Sequence, residues 1–222
     1  MSGGDPAGRE VFMSRRRALV FLLTAFCLAA ALAAQPAGRN FVIVLIGPTG
    51  SGKTTQTAFL KRKYNLPTVS ADDLLKENPS ALAKYKTPGI EPGTPQTSPA
   101  LNDLIRGRLS SMDTKKGFVL DGYPATKDHA DHLEQMVKEM GLPSPIIIQL
   151  DIPDEVARKR DEKRGREDDT PALVEQRLKD YHRELDFIRT YYPNEKIYTV
   201  NATGKPREVS KKIEAILEGK GR

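Results

Sequence analysis

Short runs of β-branched and aliphatic residues recur along the chain from Asn40 onward, separated by longer mixed segments. The first, Phe41–Ile46, is apolar at every position and is closed by Gly47. A strand with one wet face alternates, so an unbroken run of this kind predicts a strand covered on both faces. Similar runs lie at Pro67–Ser70, Gly117–Asp121, Ile146–Asp151 and Ile197–Val200. Between them, helical segments are predicted over Lys53–Tyr64, Ala100–Ser111, Lys127–Met140, a long stretch through Arg160–Tyr191, and Pro206–Leu217. Strands alternating with helices imply right-handed crossovers. The expected fold is therefore α/β, a five-stranded parallel sheet with helices on both faces. There are no repeats, and the Pro- and Gly-rich segment Thr87–Pro99 reads as a surface loop or flap.

Residues 1–39 follow another pattern. Arg15-Arg16-Arg17 precede the uncharged apolar run Ala18–Ala34, which ends in the small residues Ala31-Leu32-Ala33. A cationic start, an apolar middle and a small-residue exit read as an export signal. Met13 offers an alternative start, and Ser14-Arg15-Arg16 resembles a twin-arginine signal. The run falls just short of the roughly 20 residues that span a bilayer, so an uncleaved anchor is the second reading. A buried helix comes third, because so long an uncharged stretch leaves no polar face for water. The expected organisation is a signal peptide or membrane anchor over 1–39 and one domain over 40–222. The protein is then exported or membrane-anchored if that segment is genuine, and cytoplasmic otherwise, with any membrane contact made through the segment alone.

Composition narrows the field. With 222 residues, 38% hydrophobic and 29% charged, the chain suits a globular domain and excludes collagen, a coiled coil and wholesale disorder. The single cysteine, Cys27, excludes a disulfide framework and a thiolate-rich zinc site, and His129, His132 and His182 lack ligand spacing. Half of the net charge of +6 sits in the first 40 residues, where five arginines face Asp5 and Glu10. The remainder is too small to argue for a nucleic-acid face.

The strongest chemical signal is Gly47-Pro48-Thr49-Gly50-Ser51-Gly52-Lys53-Thr54, which matches G-x-x-x-x-G-K-[ST] between a predicted strand and a predicted helix. The glycines let successive N–H groups turn inward into an anion nest at a helix N-terminus. Lys53 then reaches the β- and γ-phosphates, and the Thr54 hydroxyl is placed to ligate Mg²⁺. Gly47, Thr49, Gly50, Ser51, Gly52 and Thr55 complete the expected phosphate-binding set. A second strand, Phe118–Asp121, ends in a carboxylate, which beside a phosphate loop suits the organisation of Mg²⁺ and its waters. A third feature is the basic run Arg158–Arg166, followed by Arg177. Guanidinium groups stabilise a transferring phosphoryl with forked hydrogen bonds, and Arg164 and Arg166 flank a glycine. Arg158, Lys159 and Lys163 read better as a solvated helix face.

Together these features resemble the adenylate kinase family of nucleoside monophosphate kinases, from Phe41 to about Leu217. The marks are GPTGSGKTTQ at 47–56, NLPTVSADDLLK at 65–76, GFVLDGYP at 117–124, RGREDD at 164–169, QRLKDYH at 176–182 and VNATGKPREV at 200–209. The resemblance implies a P-loop kinase fold with an acceptor-binding flap and an arginine-bearing lid, here short. It implies a phosphotransferase that moves the γ-phosphoryl of Mg·ATP to a nucleoside monophosphate, as in ATP + AMP to 2 ADP. By the same resemblance Lys53, Arg164, Arg166 and Arg177 are catalytic, and Gly204 sits where the backbone cradles the donor adenine. Ser70, Asp73, Lys76, Asp121, Tyr123 and His129 fall on acceptor-binding positions. Nucleotides are the expected partners, without nucleic acid, and the expected state is a monomer.

The acceptor side departs from the family pattern. Lys76 and Ala125 stand where two arginines bind the acceptor phosphate, and Ser70-Ala71-Asp72-Asp73 replaces S-T-G-D. His129 stands in place of an adenine-reading glutamine, the acceptor loop is blurred into Pro88–Pro92, and only Gly165 separates Arg164 from Arg166. Lysine supplies a point charge but alanine supplies no fork. The expectation is that AMP is a poor acceptor, or that the acceptor is another small molecule. An exported ATP-binding protein without turnover is the non-enzymatic alternative.

Overall fold

The computed structural model describes residues 40–80, 100–166 and 169–219. The apolar run Ala18–Ala34 and the flap at Thr87–Pro99 lie outside them. The strands are β1 (Phe41–Ile46), β2 (Thr68–Ser70), β3 (Gly117–Asp121), β4 (Ile146–Asp151) and β5 (Ile197–Asn201). They form one parallel sheet in the order β2-β3-β1-β4-β5. The helices are α1 (Lys53–Tyr64), α2 (Ala71–Glu77), α3 (Ala100–Ser110), α4 (Lys127–Glu139), α5 (Asp154–Arg164), α6 (Pro171–Tyr191) and α7 (Pro206–Leu217). Among the described residues, no helix is long and apolar enough to cross a membrane.

Every residue of β1 is buried, and its alternating side chains feed two separate cores. Val42, Val44 and Ile46 pack with Leu101, Ile105, Leu133, Leu185 and Ile188 from α3, α4 and α6. Phe41, Ile43 and Leu45 pack with Leu60, Ala157, Val209 and Ile213 from α1, α5 and α7. The period-two geometry of a strand thus converts one apolar run into two buried faces. Each such aliphatic side chain contributes about 1.5–3 kcal/mol on burial. With β1 between β3 and β4, the strand order reverses beside it, and such a switch point is where α/β sheets bind ligands, beyond the carboxyl ends of their strands.

Two local differences from the sequence reading bear on the site. The long helical stretch through Arg160–Tyr191 is two helices. Gly165 ends α5 in the left-handed region at φ 63°, and Thr170 starts α6 by accepting the Leu173 N–H, with Pro171 in the first turn. The second difference is α2, a seven-residue helix directly after β2. Ser70 caps it by accepting the Asp73 N–H at 3.2 Å.

Candidate active site

The turn from β1 into α1 is folded tightly against α5. The Ser51 N–H donates to the Pro48 carbonyl at 3.2 Å. Gly50 adopts φ 68°, and a Cβ there would lie 3.1 Å from the Ala157 carbonyl oxygen and 3.2 Å from Asp161 Oδ1. Glycine takes that conformation without strain and permits that approach. Ser51 is buried and its Oγ has no hydrogen-bond partner among the described residues. Lys53 Nζ donates to the Gly47 carbonyl at 2.7 Å and the Pro48 carbonyl at 3.3 Å, which holds the ammonium at the loop. Thr54 and Thr55 are exposed in the first turn of α1, which carries no acidic residue. A helix N-terminus, a lysine and an orphaned hydroxyl in one loop make an anion site.

The loop is stapled from behind by two residues that sequence reasoning left without a role. Arg160 donates to the carbonyls of Gly50 at 3.0 Å, Ala202 at 3.1 Å and Thr203 at 3.0 Å. Fully buried Asp161 accepts the Thr49 hydroxyl at 2.5 Å and lies 2.9 Å from an Arg164 nitrogen. Gln56 makes a second tie, donating to the Pro206 carbonyl and accepting the Ser210 hydroxyl. Together these contacts join the phosphate loop to the β5–α7 turn that carries exposed Gly204. Apart from the Asp161–Arg164 pair, the partners lie more than forty positions apart, so no local motif announces them.

Asp121 ends β3, in register with Leu45 of β1 and Ser70 of β2. Burial pushes its carboxyl above the usual range, Lys53 opposes that shift, and Asp72 and Asp73 reinforce it. The arginines gather on Asp169, a residue the sequence showed only as part of RGREDD. Arg164 forks onto its two oxygens at 2.9 and 2.6 Å, Arg177 reaches it at 3.1 Å, and the Arg166 N–H donates at 3.0 Å. The Arg164 fork above all holds the Asp169 carboxyl far below the usual carboxylate range. Arg164 and Arg177 are therefore brought together. The Arg166 guanidinium is exposed and forms no ion pair among the described residues.

The acceptor positions divide. Asp73 and Lys76 lie exposed on α2, while the Ser70 hydroxyl is spent on the helix cap. Tyr123 and His129 are fully buried and stacked, with ring centroids 4.8 Å apart. The Tyr123 hydroxyl lies 2.8 Å from Asn102 Oδ1 and 3.0 Å from the His129 carbonyl, so it is engaged within the core. Ala125 directs its N–H to His129 Nδ1 at 3.4 Å and brings no charge. Glu184 on α6 was not anticipated at all. Its Oε1 is buried without a hydrogen-bond partner among the described residues, in the field of Lys53, Asp121, Asp72 and Asp180.

A family model described as adenylate kinase matches residues 45–197, from β1 to the start of β5. The chain belongs to the adenylate kinase family. An adenylate kinase of Corynebacterium urealyticum is 33% identical over 171 residues, covering 76% of this chain and 94% of its own length. One of Rhodococcus erythropolis is 32% identical over 178 residues, covering 79% and 98%. Another, of Mycobacteroides abscessus, is 34% identical over 170 residues, covering 75% and 93%. As a family member the chain is an adenylate kinase-like nucleoside monophosphate kinase, a phosphotransferase with nucleotide substrates. The matched span contains the phosphate loop, Asp121 and the Asp169 arginine cluster.

Proposed function

We propose that the protein transfers the γ-phosphoryl of Mg·ATP to a nucleoside monophosphate and that AMP is a weak acceptor. The observation that carries this reading is the anion site beneath Lys53, with Asp121 alongside and two guanidinium groups gathered on Asp169. The loop amides and Lys53 bind the triphosphate, while Arg164 and Arg177 offset charge that builds up during transfer. The Arg160 staple sets the distance between the phosphate loop and the adenine-side turn at Gly204. Arg166 is the exposed guanidinium available to complete the cluster.

The residues present fit magnesium that arrives with the nucleotide. Thr54 supplies a hydroxyl and Asp121 a carboxylate, whereas no group of three or more His, Cys, Asp or Glu forms a cage among the described residues. When bound, the cation neutralises phosphate charge. A phosphate oxygen attacks without losing a proton, so positioning supplies most of the rate and no protein nucleophile is required.

AMP is weakened as an acceptor because Ala125 provides no phosphate fork and Asp72 adds an anion near Asp121. Loss of one charge-assisted contact costs about 1.5–3 kcal/mol, tenfold or more in affinity. The test is ADP formation from ATP by the full-length chain with AMP, CMP and UMP. Acceptor-dependent ADP that disappears in Lys53→Ala is expected, with AMP half-saturating only at high concentration. Absence of acceptor-dependent ADP overturns the kinase reading, and tight AMP saturation overturns the acceptor reading.

We also infer that a monomer works outside the cytoplasm, directed there by residues 1–39. Arg15-Arg16-Arg17 ahead of the Ala18–Ala34 run supports this. The mass of the mature N-terminus, measured with cell fractionation, tests it.

A further inference from the structure

Glu184 takes no part in the chemistry above. It lies on α6 seven residues beyond Arg177, two helical turns along, so the two side chains leave the same face. Its Oε1 is buried and has no hydrogen-bond donor among the described residues. The charged groups facing it come from four elements: Lys53 of α1, Asp121 of β3, Asp72 of α2 and Asp180 one turn back on α6. Burial is the largest influence on its carboxyl and pushes it up to about 7; Lys53 opposes this, and Asp121, Asp72 and Asp180 add to it. A buried carboxylate oxygen with no donor is costly, and such exceptions call for a functional reason.

Phosphoryl transfer to a nucleoside monophosphate supplies no such reason, because the attacking phosphate oxygen carries no proton that must leave. An O–H nucleophile is different, since its proton has to go to a positioned base. Around this centre Lys53 is cationic, the arginines cannot accept a proton, and Asp121 is assigned to the cation. Among the described residues the carboxylate oxygens buried without a hydrogen-bond partner are Asp161 Oδ1, which is ion-paired with Arg164, and Glu184 Oε1. The eroded acceptor-phosphate contacts at Lys76 and Ala125 also lower the penalty for an uncharged nucleophile relative to AMP.

We propose that Glu184 is a general base that lets this centre pass the γ-phosphoryl of ATP to an O–H nucleophile, water or an alcohol, alongside the nucleoside monophosphate. The inference rests on the ATP site proposed above. The nucleophile's oxygen bonds to the γ-phosphorus, and the bond from phosphorus to the β,γ-bridging oxygen breaks. That electron pair stays on ADP, and the nucleophile's proton passes to the Glu184 carboxylate and then to solvent. Water gives ADP and inorganic phosphate; an alcohol gives ADP and a phosphate ester.

The test uses the full-length chain with Mg·ATP and reads inorganic phosphate and ADP separately, first without acceptor, then with uncharged nucleosides or glycerol, then with CMP. Lys53→Ala sets the background. Phosphate release above background identifies water, and ADP in excess of phosphate with an uncharged acceptor identifies the alcohol. In either case Glu184→Gln is expected to lower the O–H reaction at least tenfold more than it lowers transfer to CMP. Its thermal midpoint is not expected to fall, because the change removes a buried unpaired charge. Transfer to CMP with no O–H reaction above background overturns this inference and leaves the kinase reading intact. An O–H reaction that Glu184→Gln does not selectively reduce also overturns it. Failure of all three reactions removes the kinase reading itself.

Discussion

Arg160→Ala is the most discriminating single change, because one side chain holds both halves of the nucleotide site. Its three donated hydrogen bonds, at 3.0, 3.1 and 3.0 Å, end on the carbonyls of Gly50, Ala202 and Thr203. Hydrogen bonds from a charged donor are worth about 1.5–3 kcal/mol each when desolvated. Arg160 is only half-buried and Thr203 is exposed, so water replaces much of what is lost. The realised loss is therefore about 2–3 kcal/mol in total rather than the full sum. Because Gly50 belongs to the phosphate loop and Thr203 adjoins Gly204, most of this falls on ATP. Calorimetry should show ATP affinity weakened by roughly thirtyfold or more, with the thermal midpoint down by a few degrees. Arg160→Lys keeps the charge but not the fork, and should fall between the two. ATP affinity within threefold of wild type and an unchanged midpoint would refute the staple.

Three further outcomes follow from the same geometry. Asp169→Asn leaves an acceptor for the Arg166 N–H but loses the charge that gathers Arg164 and Arg177; stopped assays should show kcat down about tenfold, with ATP affinity changed less. The folded-state carboxyl of Asp169 is depressed, so its contribution to stability is complete above the ordinary aspartate value of about 4 and is lost as pH falls below it. Urea unfolding below pH 4 should accordingly show wild type losing stability faster than Asp169→Asn. Gly50→Ala forces a side chain into φ 68° against Asp161 and Ala157, and should cost at least about 1–2 kcal/mol in urea unfolding.

What could be read from the sequence depended on the range of the interactions involved. The strands were legible because burial on both faces demands an unbroken apolar run, and Phe41–Ile46 has one. The phosphate loop was legible because its geometry demands glycines at fixed spacing. The helix α2 was hidden because its i, i+3, i+4 face of Ala71, Leu74 and Leu75 fills only seven residues, too short a stretch to establish a period. The break between α5 and α6 was legible only in part: Gly165 between Arg164 and Arg166 allows a loop before the helix of Arg177, but the charged run around it reads as one long helical stretch. The Arg160 staple and the orphaned oxygen of Glu184 exist only once distant elements meet, whereas Asp169 gathers its arginines across the short turn between α5 and α6. Tyr123 and His129, which the family pattern places at the acceptor site, are enclosed in the core by their mutual stacking and by Asn102.

The most direct measurement follows the label from γ-labelled ATP in the full-length chain supplied with magnesium and a nucleoside monophosphate. Label is expected in the terminal phosphate of the nucleoside diphosphate formed, and is expected to be lost in Lys53→Ala. Wild-type protein that is folded yet labels no diphosphate above the Lys53→Ala level would contradict phosphoryl transfer at this loop.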